Sequence, residues 1–157
     1  MLPIKTILHP TDFSDASEHA LRMAIGLARD YHSRLILMHA VEPPVYYGEL
    51  GVSFVPTEEY RESAQEQVDA LIGSNPKVVI ERVVTEGMAS PEILRVAREC
   101  HCDLLVLGSH GRTGIGRVFM GSVAEEVARR SPCPVLIVRA PHEIPLDDPS
   151  EAQAATP

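Results

Sequence analysis

Residues Leu35-Ile36-Leu37-Met38-His39-Ala40-Val41 form an apolar run without polar alternation. A strand with one wet face alternates; a run like this one fits a strand covered on both faces, as in a parallel sheet flanked by helices. Further strands are read at Ile4 to Leu8, Val78 to Val84, Asp103 to Leu107 and Val135 to Val138. Between them lie helical periods: Ala20, Leu21, Ala24, Leu27, Ala28 and Tyr31; Tyr60, Ala64, Val68 and Leu71; Ile93, Leu94, Ala97 and Cys100; and a helix beginning near Ser122. Five strands alternating with four helices predict a doubly wound α/β domain.

The punctuation agrees with that reading. Ser14 or Asp15 can cap the first helix, and Ser90-Pro91 reads as a capping Ser with Pro at the first helical position. Pro43-Pro44 ends the second strand, and residues 43–56, with Pro, Gly and Tyr in no period, read as a loop. A length of 157 residues with 45% apolar content suffices for one core and not for two. Residues 1–140 are therefore expected to form a single domain. The acidic, Pro- and Ala-containing stretch 141–157 is expected to be a disordered tail.

The net charge of −8 is unevenly placed. Residues 42–70 carry a net −6 and residues 140–157 a net −4, which leaves +2 for all the rest. Such a chain lacks the basic field needed to track DNA, RNA or an anionic membrane. With no Trp and 4% aromatic residues it also lacks stacking platforms for single strands. No apolar run has the length of a membrane span, and no signal segment is evident. Cys100, Cys102 and Cys133 are an odd set without paired spacing, so no disulfide framework is implied and the cytoplasm is the expected compartment.

In doubly wound sheets, ligands sit at the carboxyl ends of the strands, near the point where strand order reverses. Two loops there carry chemistry, 10–15 and 108–122. The second holds Gly108, Gly111, Gly114, Gly116 and Gly121, with Arg112 and Arg117. Its glycines let backbone N–H groups turn toward an anion, and Gly121-Ser122 opens a helix whose dipole favours phosphate. Two motifs are excluded. Gly116-x4-Gly121-Ser122 lacks the lysine of a Walker A loop, and Phe119 stands where a dinucleotide fingerprint needs its third glycine. A purely structural role remains open on these residues alone. Ser122 with Glu125 fits a capping box, Asp12 fits an Asx-turn, and the two arginines fit a solvated or dimer-facing surface.

The spacing Gly108-x2-Gly111-x9-Gly121-Ser122 matches the nucleotide-binding signature of the universal stress protein family. Ile7-Leu8-His9-Pro10-Thr11-Asp12-Phe13-Ser14 resembles that family's opening strand and acidic loop. Gly121 to Val127 and Ser131 to Val138 resemble its closing helix and strand, so the likeness runs from residue 4 to about 139. It implies a five-stranded parallel sheet of order 3-2-1-4-5, an adenine nucleotide alpha hydrolase-like fold, and ATP as ligand. Carried over by position, Asp12 would bond the ribose, Pro10 and Thr11 border the adenosine, and the Val41 backbone meet the adenine. Gly108, Gly111, Gly121, Ser122 and Val123 would pass close to, or donate to, ribose and phosphates, with His110 and Arg112 in the same loop. The resemblance also implies a homodimer paired through Val135–Val138, and a regulatory role in stress exerted through an unnamed protein partner.

Other groupings carry less. His9, His39 and His110 fall at strand carboxyl ends, but no His-x3-His or Cys-x2-Cys spacing supports a metal centre. No nucleophile–base motif appears. Hydrolysis of ATP would require a positioned water and a cation such as Mg²⁺ beside an arginine. The rival readings are thus a slow ATPase and an interaction protein that needs no nucleotide.

Overall fold

The computed structural model describes residues 3–42, 45–48, 51–54, 57–72, 78–109 and 120–139. Its elements run β1 (Thr6–Pro10), α1 (Asp15–Tyr31), β2 (Arg34–Val41), β3 (Val45–Gly48), β4 (Gly51–Phe54), α2 (Thr57–Leu71), β5 (Ile80–Glu86), α3 (Ala89–Glu99), β6 (Leu104–Gly108), α4 (Ser122–Arg130) and β7 (Val135–Val138). Five strands form one sheet in the order β5-β2-β1-β6-β7. All four pairings are parallel, so, counting only this sheet, the order is 3-2-1-4-5. The winding reverses at β1, between β2 and β6.

The run that fixed the fold class behaves as its composition requires. Along β2, Leu35 and Leu37 pack on one side while Ile36 and Met38 pack on the other. The first layer contains Ala20, Leu21, Ala24 and Ala28 of α1 with Val68 of α2. The second contains Ile93, Leu94 and Ala97 of α3 with Val127 of α4. Helices therefore cover both faces.

Within residues 43–56, the described segments 45–48 and 51–54 depart from the loop reading. Val45–Gly48 and Gly51–Phe54 pair antiparallel, Val45 with Phe54 and Gly48 with Gly51. Val, Tyr and Phe suit a pleated ribbon, but the connection Glu49-Leu50 lacks the Asn-Gly or Asp-Gly signature that betrays a tight hairpin. Two caps also differ from expectation. α3 is capped by Met88, which places Ser90 and Pro91 inside its first turn, where proline's missing N–H is still harmless. α4 is capped by Gly121, which makes Ser122 the first helical residue and removes the capping box. The expected tail 141–157 lies outside the described residues.

Candidate functional site

A cleft of about 550 Å³ opens at the carboxyl edge of the sheet, where the winding reverses. That volume is in the ordinary range for small-molecule sites. The β1–α1 loop supplies Pro10, Thr11, Asp12 and Phe13, and β2 supplies His39, Ala40 and Val41. β6 ends in the cleft at Gly108, and α4 brings Gly121, Ser122, Val123 and Ala124. Of the residues singled out in the sequence, these eight meet: Pro10, Thr11, Asp12, Val41, Gly108, Gly121, Ser122 and Val123. His110, Gly111 and Arg112 lie outside the described residues, as does Arg117.

The β1–α1 loop is held by its own side chains. The Thr11 hydroxyl oxygen accepts from Phe13 N–H at 3.1 Å and from the Ser17 hydroxyl at 3.0 Å. Asp12 Oδ1 accepts from Ser14 N–H at 3.1 Å and from the Ser14 hydroxyl at 2.6 Å, an Asx-turn that fixes the carboxylate at the cleft's edge. Phe13 is forced to φ 63°, an uncommon conformation for a bulky side chain. Its ring rests on that of His39, with centroids 4.5 Å apart. Nδ1 of His39 bonds the Thr11 carbonyl at 2.7 Å, tying β2 to the same loop.

His9 and His39, with one residue between each and a neighbour on the first layer, face the α1–α2 side. Each places Nδ1 on a backbone carbonyl, His9 on that of Val106 at 2.8 Å. His9 is fully buried, which pushes its imidazole down to about 4 and keeps it neutral. Among the described residues, no group of three or more His, Cys, Asp or Glu side chains is arranged to hold a metal ion.

The cleft's other wall consists of helix starts. Glu42 accepts the Ala89 N–H of α3 at 3.2 Å. α4 begins differently. Glu125 N–H makes the first intrahelical bond, to Gly121. The N–H groups of Ser122, Val123 and Ala124 precede it, and Gly121 has no side chain to fold back on them. Among the described residues none of them has a hydrogen-bond partner. The base of the glycine loop is closed by two bonds, Ser109 N–H to Val138 O and Gly121 N–H to Ser109 O, both 2.9 Å.

Gly108 has a reason of its own. A Cβ there would stand 3.0 Å from the carbonyl carbon and oxygen of Ala16, so α1 can seat on β6 only over a glycine. Val41 is a wall residue, 7% exposed, and its carbonyl accepts Gly87 N–H at 2.9 Å while keeping a second lone pair.

Sequence reasoning missed one wall. Tyr60, Ser63, Ala64 and Gln67 of α2 line the cleft at i, i+3, i+4 and i+7 spacing. The signal was present as a helical face mixing small and polar residues, which on a helix carrying Glu58, Glu59, Glu62 and Glu66 has the composition of a solvated face. A second concavity, about 420 Å³, lies between Arg61, Thr85, Glu86, Glu92 and Arg95. Its strongest charges already neutralise each other: Arg95 bonds Glu92 at 2.6 Å and Glu99 at 2.7 Å. The guanidinium holds the Glu92 carboxyl below its ordinary value.

The chain is similar to known proteins over nearly its whole length. The model of the universal stress protein family matches residues 3–139. A universal stress protein of Methanocaldococcus jannaschii is 33% identical over 141 residues, covering 87% of this chain and 83% of the relative. The solved universal stress protein UspA from Lactobacillus plantarum superposes with a TM-score of 0.72 at 22% identity, over 88% of this chain and 100% of that one. A universal stress protein solved in complex with cAMP gives a TM-score of 0.59 at 27% identity, over 87% of this chain and 98% of that one.

Proposed function

The chain belongs to the universal stress protein family, and from that premise we propose that it binds an adenine nucleotide, ATP foremost, and acts as a nucleotide-dependent regulator in the stress response. The observation that carries the reading is the α4 N-terminus, whose first N–H groups have no hydrogen-bond partner among the described residues and which lines one cleft of about 550 Å³ together with the Asp12 loop. Amide donors at a helix start suit phosphate, and a carboxylate at the opposite edge suits ribose hydroxyls. A solved relative in complex with cAMP supports adenine nucleotide as the ligand class.

In this reading Asp12 accepts from the ribose, Pro10 and Thr11 border the adenosine, and the Val41 carbonyl receives the adenine amino group. Ser122 and Val123 donate to the phosphates, with Gly108, Gly111, Gly121, His110 and Arg112 framing their path. Mg²⁺ would enter with the phosphates and offset their charge. Nucleotide occupancy changes the surface offered to a protein partner. β7 is an edge of the sheet, with Leu136 37% exposed, and pairing Val135–Val138 with a second copy would cover that edge. A cytoplasmic location accords with this role. Among the described residues no helix is long and apolar enough to cross a membrane.

The first experiment is to denature the protein as purified and identify any released nucleotide by ultraviolet absorbance and mass. Labelled ATP is then titrated against the wild type, Asp12→Ala and Gly121→Val. Each variant is expected to bind at least about tenfold more weakly, the loss of one good polar contact. Equal affinity in all three would remove the site assignment. Release of ADP or AMP well above background, abolished by changing Ser122, would favour the slow-ATPase alternative.

A further inference from the structure

At the opposite pole of the sheet from the cleft, two thiols lie against each other. Cys102 precedes β6, Cys133 precedes β7, and their sulfurs are 3.0 Å apart. The β6–β7 register sets Leu105 against Val135. Both cysteines sit just before the paired stretch, and an approach of 3.0 Å leaves their sulfurs about 1 Å beyond the length of a disulfide bond, about 2.05 Å. The two thiols differ in access: Cys102 is 7% exposed and part of a core layer, while Cys133 is half-buried. The third cysteine, Cys100, turns its thiol back toward its own helix, 3.7 Å from the Ala97 carbonyl.

We propose that Cys133 and Cys102 form a hydroperoxide-responsive dithiol, in which Cys133 meets the peroxide and Cys102 resolves the product as an intramolecular disulfide. In the first step Cys133 Sγ attacks one peroxide oxygen and the O–O bond breaks. The bonding pair leaves with the second oxygen, which takes the thiol proton and departs as water, or as an alcohol from an organic peroxide. Cys133 is then a sulfenic acid, oxidised by two electrons as the peroxide is reduced by two. In the second step Cys102 Sγ attacks Cys133 Sγ, the S–O bond breaks, and the leaving hydroxide takes the Cys102 proton to depart as water.

The surroundings divide the two roles. The Cys102 thiol and the Ser131 hydroxyl, 3.6 Å away, both favour the Cys133 thiolate and hold its pKa below the ordinary thiol value. The same contact, with burial, pushes the Cys102 thiol up, so it keeps its proton until the second step. Burial also raises Cys100, which stays out of the exchange. The segment between the two sulfurs contains β6, the glycine loop and α4. Oxidation therefore ties together the two ends of the stretch that carries the cleft's donor wall.

The test treats the reduced, full-length protein with stoichiometric hydrogen peroxide, blocks free thiols under denaturing conditions and maps the peptides by mass. The expected result is loss of two of the three thiols, a mass lower by two hydrogens, a Cys102–Cys133 linkage within one chain, and recovery of all thiols with dithiothreitol. Cys100→Ser should show the same two-thiol loss. Cys102→Ser should leave a sulfenic acid on Cys133 that dimedone captures. The wild-type map decides the matter even if a variant misfolds. A linkage through Cys100, a linkage between chains, over-oxidation without a cross-link, or survival of all three thiols would each overturn the proposal.

Discussion

α1 and α4 both begin at the carboxyl edge of the sheet and border the same cleft, yet their first turns are finished in opposite ways. α1 is closed by its own side chains. Ser14 Oγ accepts Ser17 N–H at 3.2 Å, Asp12 accepts twice from Ser14, and Asp15 and Glu18 set negative charge against the dipole. α4 starts on a glycine, with Ser122 moved one place inward and its first amides left without partners among the described residues. An anion finds competition at the first helix and donors at the second. The general lesson is that a cap is a choice between stability and recognition. The two helix starts can be told apart by perturbing each.

The largest effect is expected at His9, in the strand that leads into α1. Its neutral form is buried and its pKa falls from 6.5 to about 4, so the unfolded chain binds the extra proton first. Stability is full above pH 6.5 and is lost as pH falls toward 4, by roughly 3 kcal/mol in total. Urea midpoints measured between pH 7 and 4 should show this slope in the wild type and lose it in His9→Leu. An unchanged slope in that variant would assign the acid sensitivity elsewhere.

Next comes Gly108→Val, which drives a branched side chain into the Ala16 backbone. It should lower unfolding free energy by about 2 kcal/mol through displacement of α1. A melting temperature within a degree of the wild type would mean that α1 does not sit on β6 as described. Ser122→Asp then separates the stability of α4 from its proposed part in nucleotide binding. A carboxylate at the first helical position should stabilise the helix by about 0.5 kcal/mol while weakening ATP binding about tenfold. Calorimetry and a denaturant melt on the same sample would show whether the two move in opposite directions. The smallest effect belongs to Ser14→Ala: about 1 kcal/mol of stability from the lost cap, with a smaller change in affinity. A larger loss of binding than of stability would place α1, not α4, at the ligand's charged end.

The fold was legible where burial dictates composition. β2 reads as a two-sided strand because Leu35 to Met38 are buried, and a strand covered by helices on both faces carries such a run. The hairpin β3–β4 escaped because Val-Tyr-Tyr and Val-Ser-Phe are too short to show a period, and glycines at both ends of the turn resemble a loop. The two shifted caps, Met88 and Gly121, show a different limit. Ser90 and Ser122 have the right chemistry, but where a helix starts depends on where the strand before it ends, which is a tertiary matter. At the cleft, Gly108 was readable from glycine spacing and Asp12 from its place at the carboxyl end of the first strand. The contribution of Tyr60, Ser63 and Gln67 was not, because only the packing of α2 across β2 and β5 turns that face inward.

The two bonds at the foot of the glycine loop have an evolutionary side. Ser109 holds Val138 with its amide and receives Gly121 with its carbonyl, so the end of β6, the start of α4 and the end of β7 meet at one residue. Main-chain bonds ask for no particular side chain, so this junction of β6, α4 and β7 holds whatever non-proline residue stands at 109.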